Sequence, residues 1–162
     1  MRKMNMIEIE RKFLIVSGKY KDLAYKKTDI LQGFLNTHKE RTVRVRIKGE
    51  EAFITIKGIS NTEGTTRFEW EREISLKEAE QLIELCEPNL IKKIRYEIKV
   101  GNHIFEVDEF SGENKGLIIA EIELSKENQS FEKPDWLGKE VTGDIRYYNS
   151  QLCRVPYNNW GI

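Results

Sequence analysis

Cysteine is scarce in this chain: among 162 residues there are only Cys86 and Cys153, with no C-x-x-C pair. That argues against a disulfide framework and against a cysteine-based zinc site. Histidine is equally rare, and His38 and His103 stand far apart in turn-forming stretches, so a His metal centre is not expected. Proline occurs three times, and no Pro- or Gly-rich linker, repeat or low-complexity tract divides the chain. Residues 1–162 therefore read as one domain. An excess of one charge sign is also missing, because 27 Lys and Arg are balanced by 27 Asp and Glu. A nucleic-acid binder or a polybasic membrane binder has a one-sided electrostatic footprint, so neither partner is expected. No apolar run is long enough to span a bilayer. The basic start, Met1-Arg2-Lys3, leads into Glu8, Glu10, Arg11 and Lys12 rather than into the apolar stretch of a signal peptide. The expectation is a soluble cytoplasmic protein.

What is present is charge in an ordered pattern. Charged residues make up 33% of the chain, against a usual value of about 25%, and they alternate with apolar ones. Residues 6–16 place Glu8, Glu10 and Lys12 on one side and Ile7, Ile9, Arg11 and Phe13 on the other. The same period recurs at 42–48, 67–73, 93–100, 104–108 and 119–124, and further strands are expected at 29–36 and 52–57. Period two over so many segments predicts half-buried antiparallel strands. Hairpin turns are expected at Lys48-Gly49-Glu50-Glu51, at Gly58-Ile59-Ser60-Asn61 and at Gly101-Asn102-His103. One clear helix is expected over 76–86, with Ser75 as N-cap, Glu78 completing a capping box and Pro88 just beyond the end. Short helices are expected near residues 19–25 and 145–153.

Two architectures satisfy this alternation. In a sandwich the charged faces look at solvent. In a closed barrel of about eight strands they look inward, around a cavity wide enough for one small ligand. The type of charge favours the barrel, since these faces carry almost no Ser, Thr, Asn or Gln. Glu8 with Glu10, and Glu121 with Glu123, are i,i+2 pairs whose carboxylates reach one ion, the oxygen donors that Mg²⁺ or Mn²⁺ prefers. Arg44, Arg46, Lys57, Arg67, Lys93 and Arg95 are the opposite set. So many cations in one cavity demand an anion, and a polyphosphate held by Arg forks and Lys point charges while its other oxygens meet a metal satisfies both sets.

Glu8-Ile9-Glu10-Arg11-Lys12 is an E-x-E-x-K pattern, and an ordered series follows it. Gln32-Gly33-Phe34-Leu35, Arg44-x-Arg46, Thr55-Ile56-Lys57 and Arg67-x-Glu69-x-Glu71 come first, then Lys93-Ile94-Arg95-Tyr96, Glu106-Val107-Asp108 and Glu121-x-Glu123. Trp136 to Thr142 and Asp144 to Asn149 close it. From residue 6 to 153 the chain resembles the CYTH superfamily, the triphosphate tunnel metalloenzymes, and most of all its short bacterial inorganic triphosphatases. The resemblance implies an eight-stranded antiparallel tunnel with peripheral helices. It makes Glu8, Glu10, Glu121 and Glu123 the metal ligands, and Lys12, Arg44, Arg46, Lys57, Arg67, Lys93 and Arg95 the triphosphate grip. Glu69, Glu71, Glu106 and Asp108 are weighed as ligands of a second metal or as ion-pair partners, with the ion-pair role favoured. Arg146 is weighed as closing a tunnel mouth or as an ordinary surface residue. Phe34 departs from relatives that carry Tyr there, so a Lys–Tyr dyad at that position is in doubt.

The expected function is metal-dependent hydrolysis of a linear triphosphate, preferably inorganic tripolyphosphate, to pyrophosphate and orthophosphate, with Mg²⁺ or Mn²⁺. The alternatives are a class IV adenylyl cyclase, a thiamine triphosphatase and a non-catalytic polyphosphate-binding module. Each is expected to take a small anionic ligand.

Overall fold

The computed structural model describes residues 6–161, so the basic start at residues 1–5 lies outside the described part. Among the described residues nine strands form one antiparallel sheet: β1 (Ile7–Ile15), β2 (Lys26–Asn36), β3 (Arg41–Lys48), β4 (Glu51–Ser60), β5 (Thr66–Ile74), β6 (Ile91–Val100), β7 (His103–Phe110), β8 (Ile118–Glu123) and β9 (Leu137–Glu140). Their order is β5-β4-β3-β2-β6-β7-β8-β1-β9, and β1 also pairs with β5, which closes eight of them into a barrel. Strand β1 makes that closure by dividing one edge between two partners. Ile7–Ile9 pair with β5, while Phe13 and Ile15 pair with β9. Its other edge carries β8 through Glu10–Phe13. The alternation does not reveal β9, because Leu-Gly-Lys-Glu is too short and too mixed for a period-two signal.

The charged faces point inward, and the apolar faces carry the core on the outside. Ile122 joins Phe13, Tyr96, Phe105, Val107 and Trp136 in the largest apolar cluster, with Ile9 and Ile94 packed against it. That cluster is roofed by α1 (Tyr20–Leu23) and by the segment around Phe131 and Trp136. Val45, fully buried, packs with Ala52 under Ala79 of α2 (Leu76–Ile83). Ser75 caps α2 through the expected box, accepting from Glu78 N at 3.1 Å while its own N–H donates to the Glu78 carboxylate at 3.0 Å. The helix ends at Ile83 rather than 86. The next residues close by tighter turns, Leu85 N to Leu82 O and Cys86 N to Ile83 O. A third cluster packs Phe34, Ile91, Phe110 and Leu117 against Tyr147 and Leu152, so the C-terminal segment covers one end of the barrel. No helix among the described residues is long and apolar enough to cross a membrane.

Two sequence expectations need correction. The break expected at residues 58–61 is a bulge instead: β4 continues through Ser60, its register with β5 shifts between Lys57 and Ser60, and the chain reverses at 62–65. A Cβ on Gly58 would lie 3.3 Å from that of Phe68, so the glycine serves a close approach and not a turn. The helix expected near 145–153 is two pieces, a 3₁₀ turn at Ile145–Tyr147 and α3 (Asn149–Leu152), separated by extended Tyr148.

The reversal at 62–65 touches the C-terminal segment through two glycines. Gly64 has φ +79°, and a Cβ there would sit 2.3 Å from the Gly143 Cα. The left-handed backbone and the absence of room for a methyl group both require glycine at this crossing. Gly64→Ala is expected to cost about 1–3 kcal/mol of stability by strain and displacement, read as a lower urea midpoint. A variant with the wild-type midpoint would show that this crossing does not hold the barrel end.

Candidate active site

The inward faces meet in a cavity of about 240 Å³, lined among the described residues by eight cations and seven carboxylates. Strand β1 contributes Glu8, Glu10 and Lys12; β3 contributes Arg44 and Arg46, and also Lys48; β4 contributes Lys57. Arg67, Glu69 and Glu71 come from β5, Lys93 and Arg95 from β6, Glu106 from β7, and Glu121 and Glu123 from β8. Antiparallel register sets their neighbours: Glu10 lies opposite Glu123, Lys12 opposite Glu121, Glu8 opposite Arg67 and Glu106 opposite Glu121. Two residues singled out in the sequence are not in the lining. Asp108 lies beneath it, 1% exposed. Arg146 stands outside, its side chain 63% exposed and paired with Asp144 at 2.7 Å, with its guanidinium against the Tyr147 and Trp160 rings.

Most of the charges compensate one another. Lys57 Nζ donates to both Glu8 oxygens, at 2.9 and 3.1 Å, and lies 3.5 Å from Glu69. Burial pushes the Glu8 carboxyl up, but the Lys57 ammonium, with Arg67 behind it, more than offsets this and holds the group below the usual range. Asp108 accepts from Arg95 Nε at 2.8 Å and Nη2 at 2.9 Å, and pairs with Lys93 at 2.8 Å. Arg95 also reaches Glu106 at 3.2 Å. Arg44 Nη2 donates to Thr55 Oγ1 at 3.0 Å and lies 3.4 Å from Glu71, to which the Thr55 hydroxyl donates at 2.6 Å.

Other groups are poorly compensated. Burial lowers Lys93 to about 7, because the Arg95 and Arg46 charges add to it and Asp108 does not make up the difference. Burial, then Arg44 and Arg95, likewise pushes Arg46 down to about 9. Such crowding of positive charge marks a place for an anion. The negative counterpart is Glu10, raised well above its ordinary value by burial and then by the Glu121 and Glu8 charges.

The chemistry of the donors around Glu10 suits a hard divalent cation. The four glutamates of β1 and β8 present oxygen ligands on adjacent strands, and a cation would relieve the repulsion on Glu10. With Glu8 gripped by Lys57, and Glu121 within 3.7 Å of Lys12, no three acidic, His or Cys side chains among the described residues converge as a ready metal cage. A small ion that keeps several waters and takes one or two carboxylates fits this patch better than one needing an all-protein shell.

Sequence reasoning missed four neutral side chains of the site. Gln32, fully buried, accepts from Arg46 Nε at 3.1 Å and donates to Asn149 Oδ1 at 2.9 Å. Lys93 donates to the same Asn149 oxygen at 3.0 Å. The Tyr148 ring lies 5.0 Å from Lys12 Nζ and 5.5 Å from the Arg67 guanidinium. Thr55 is the fourth. Gln32 opens a recognised segment and its position on the charged face was a usable signal, whereas Asn149 reaches the cavity, and Tyr148 a small pocket beside Glu8, Glu10 and Lys12, only through the path of the C-terminal segment. Phe34 lines the cavity too, opposite Arg44 in register.

Comparison with known proteins adds a family and relatives. The CYTH domain model matches residues 6–151. An inorganic triphosphatase of Acetivibrio thermocellus is 48% identical over 154 residues, covering 94% of this chain and 97% of that protein. One of Nitrosomonas europaea is 36% identical over 152 residues, or 91% and 97% of the two chains. The crystal structure of an inorganic triphosphatase superposes with a TM-score of 0.60 at 33% identity, over 90% of this chain and 97% of that one.

Proposed function

This chain belongs to the CYTH domain family, and from that premise we propose that it is an inorganic triphosphatase, hydrolysing tripolyphosphate to pyrophosphate and orthophosphate with Mg²⁺ or Mn²⁺. The observation that carries the reading is the cavity itself, where carboxylates gather on β1 and β8 and cations on β3 and β6. A linear triphosphate and its counter-ion need that separation of sites within one tunnel.

Glu8, Glu10, Glu121 and Glu123 would hold the cation, and Lys12, Arg44, Arg46, Lys57, Arg67, Lys93 and Arg95 the phosphates. The bound cation supplies Lewis-acid stabilisation of the phosphoryl charge and activates water. The protein's share is orientation and charge. Lys12, held charged by Glu121 and Glu10 in spite of its burial, is a permanent cation beside the carboxylate patch. An arriving anion favours the charged form of Lys93 and works against the effect of its burial. Arg46 and Lys93 flank the phosphates from β3 and β6, so a terminal phosphoryl group is fixed for in-line attack. Water oxygen bonds to its phosphorus, the bridging P–O bond breaks, pyrophosphate leaves with the electron pair, and the proton lost by the water passes to solvent. Phosphoryl transfer asks little covalent chemistry of the protein, so positioning and neutralisation account for the rate. Glu69, Glu71, Glu106 and Asp108 serve as counter-ions of Lys57, Arg44, Arg95 and Lys93 in this reading. The substrate is a small molecule, the setting the cytoplasm.

Phosphorus NMR of the purified protein with tripolyphosphate, ATP or thiamine triphosphate tests this. Tripolyphosphate is expected to give orthophosphate and pyrophosphate, with a kcat/KM at least about tenfold above that for ATP, a difference of one or two polar contacts. EDTA is expected to stop the reaction. Cyclic AMP and pyrophosphate from ATP, with tripolyphosphate intact, would transfer the assignment to a cyclase; undiminished turnover in EDTA would remove the metal from the mechanism.

A further inference from the structure

We propose that Gln32 and Asn149 are positioning residues, a pair of neutral amides that links Arg46 to Lys93 as one phosphate-gripping unit and orients Arg46 without cancelling its charge. The proposal rests on the hydrolytic reading above and adds two residues to it.

The contrast with Arg95 shows what the amides do. Arg95 is clamped by Asp108 through two nitrogens and touches Glu106 through a third, so its charge is neutralised where it stands. Arg46 meets only the Gln32 carbonyl, at Nε, and its two terminal nitrogens make no hydrogen bond with any described residue. An amide oxygen orients a guanidinium as a carboxylate does, but leaves the positive charge available.

The two amides can adopt only one polarity. Arg46 and Lys93 both donate and never accept, so the chain between them must present an oxygen at each end. Gln32 gives its oxygen to Arg46 and its nitrogen to Asn149, whose oxygen then receives both Gln32 and Lys93. This leaves Asn149 Nδ2 with no partner among the described residues, on a side chain that lines the cavity. A phosphate between Arg46 and Lys93 therefore meets two cations and a third donor. Asn149 opens α3, so the segment that covers the barrel end also sets the phosphate grip.

Calorimetry of tripolyphosphate binding in EDTA, where no turnover is expected, tests the pair independently of the chemistry. Gln32→Met and Asn149→Ala are each expected to weaken binding about tenfold, the scale of a hydrogen bond to a charged group. In an Arg46→Ala background, Gln32→Met is expected to add less than about a threefold loss, because its effect runs through Arg46. Asn149 is only half-buried, so its variant keeps the measurement available if Gln32→Met does not fold; thermal melts of each variant check this. Affinities equal to wild type, or losses that multiply in the double variant, would overturn the proposal. Wild-type protein that binds tripolyphosphate without cleaving it would defeat the hydrolytic reading and leave this test standing, whereas wild type that binds none would defeat both.

Discussion

Asp108→Asn is expected to lower the free energy of unfolding by about 3–5 kcal/mol, the usual cost of removing one partner from a buried ion pair. Asparagine keeps the shape and removes the charge on which Lys93 and Arg95 both depend. Those two cations, 3% and 4% exposed, would be left facing each other, with Glu106 and Glu121 as the carboxylates within 4 Å of Arg95 among the described residues. Urea unfolding at neutral pH with an unchanged m value measures the loss. Acid gives the sign check. Burial raises the Asp108 carboxyl, but Arg95 and Lys93 outweigh it and hold the group below its ordinary 3.8. Its contribution is therefore complete above the unfolded value and is lost as pH falls through the folded one. The gap between wild type and variant should narrow on acidification. A gap under about 1 kcal/mol, as for a solvent-exposed pair, would mean that the network beneath the tunnel is not what holds β6 and β7 in register.

Glu10→Gln is expected to move activity and stability in opposite directions. Disturbing contacts around a metal site costs about 10–100-fold in affinity or activity, and tripolyphosphatase turnover should fall by at least that. In EDTA, however, the variant should melt higher than wild type. Burial and the charges of Glu121 and Glu8 raise the Glu10 carboxyl well above its ordinary 4.5, so its ionised form is penalised in the folded state. That penalty is absent below 4.5 and grows as pH rises toward the folded value, which means that wild-type stability declines over that interval and the glutamine variant is spared. Glu8→Gln should behave in the contrary sense, because Glu8 is the counter-ion of Lys57. A Glu10→Gln protein that loses stability along with activity would make Glu10 a structural residue.

Much of this was legible in the chain because a strand has a period of two. Once Glu8, Glu10 and Lys12 alternate with Ile7, Ile9 and Arg11, the two faces of β1 are determined whatever that strand pairs with. The same holds for Arg44 and Arg46 against Val45, and for Glu121 and Glu123 against Ile122. The capping box of α2 was equally local, three residues from donor to acceptor. Charge type along those faces pointed to a cavity, and a series of short motifs pointed to its ligand.

Only the tertiary structure decided which charges meet. Lys57 finds Glu8 across 49 residues, and Lys93 finds Asn149 across 56; neither distance has a local signature. β9 and the bulge at Gly58 also depend on partners, since four mixed residues become a strand only against β1, and a glycine marks close approach only when Phe68 is opposite. Arg146 and Arg46 look alike in the sequence, each a cation in a recognised segment. One ends outside against Asp144 and Trp160 and the other inside against Gln32, because the path of the C-terminal segment over the barrel end turns Asn149, and not Arg146, toward the cavity. Periodicity assigns a side chain to a face, but the closure of the sheet and the course of the chain across it determine which groups that face meets.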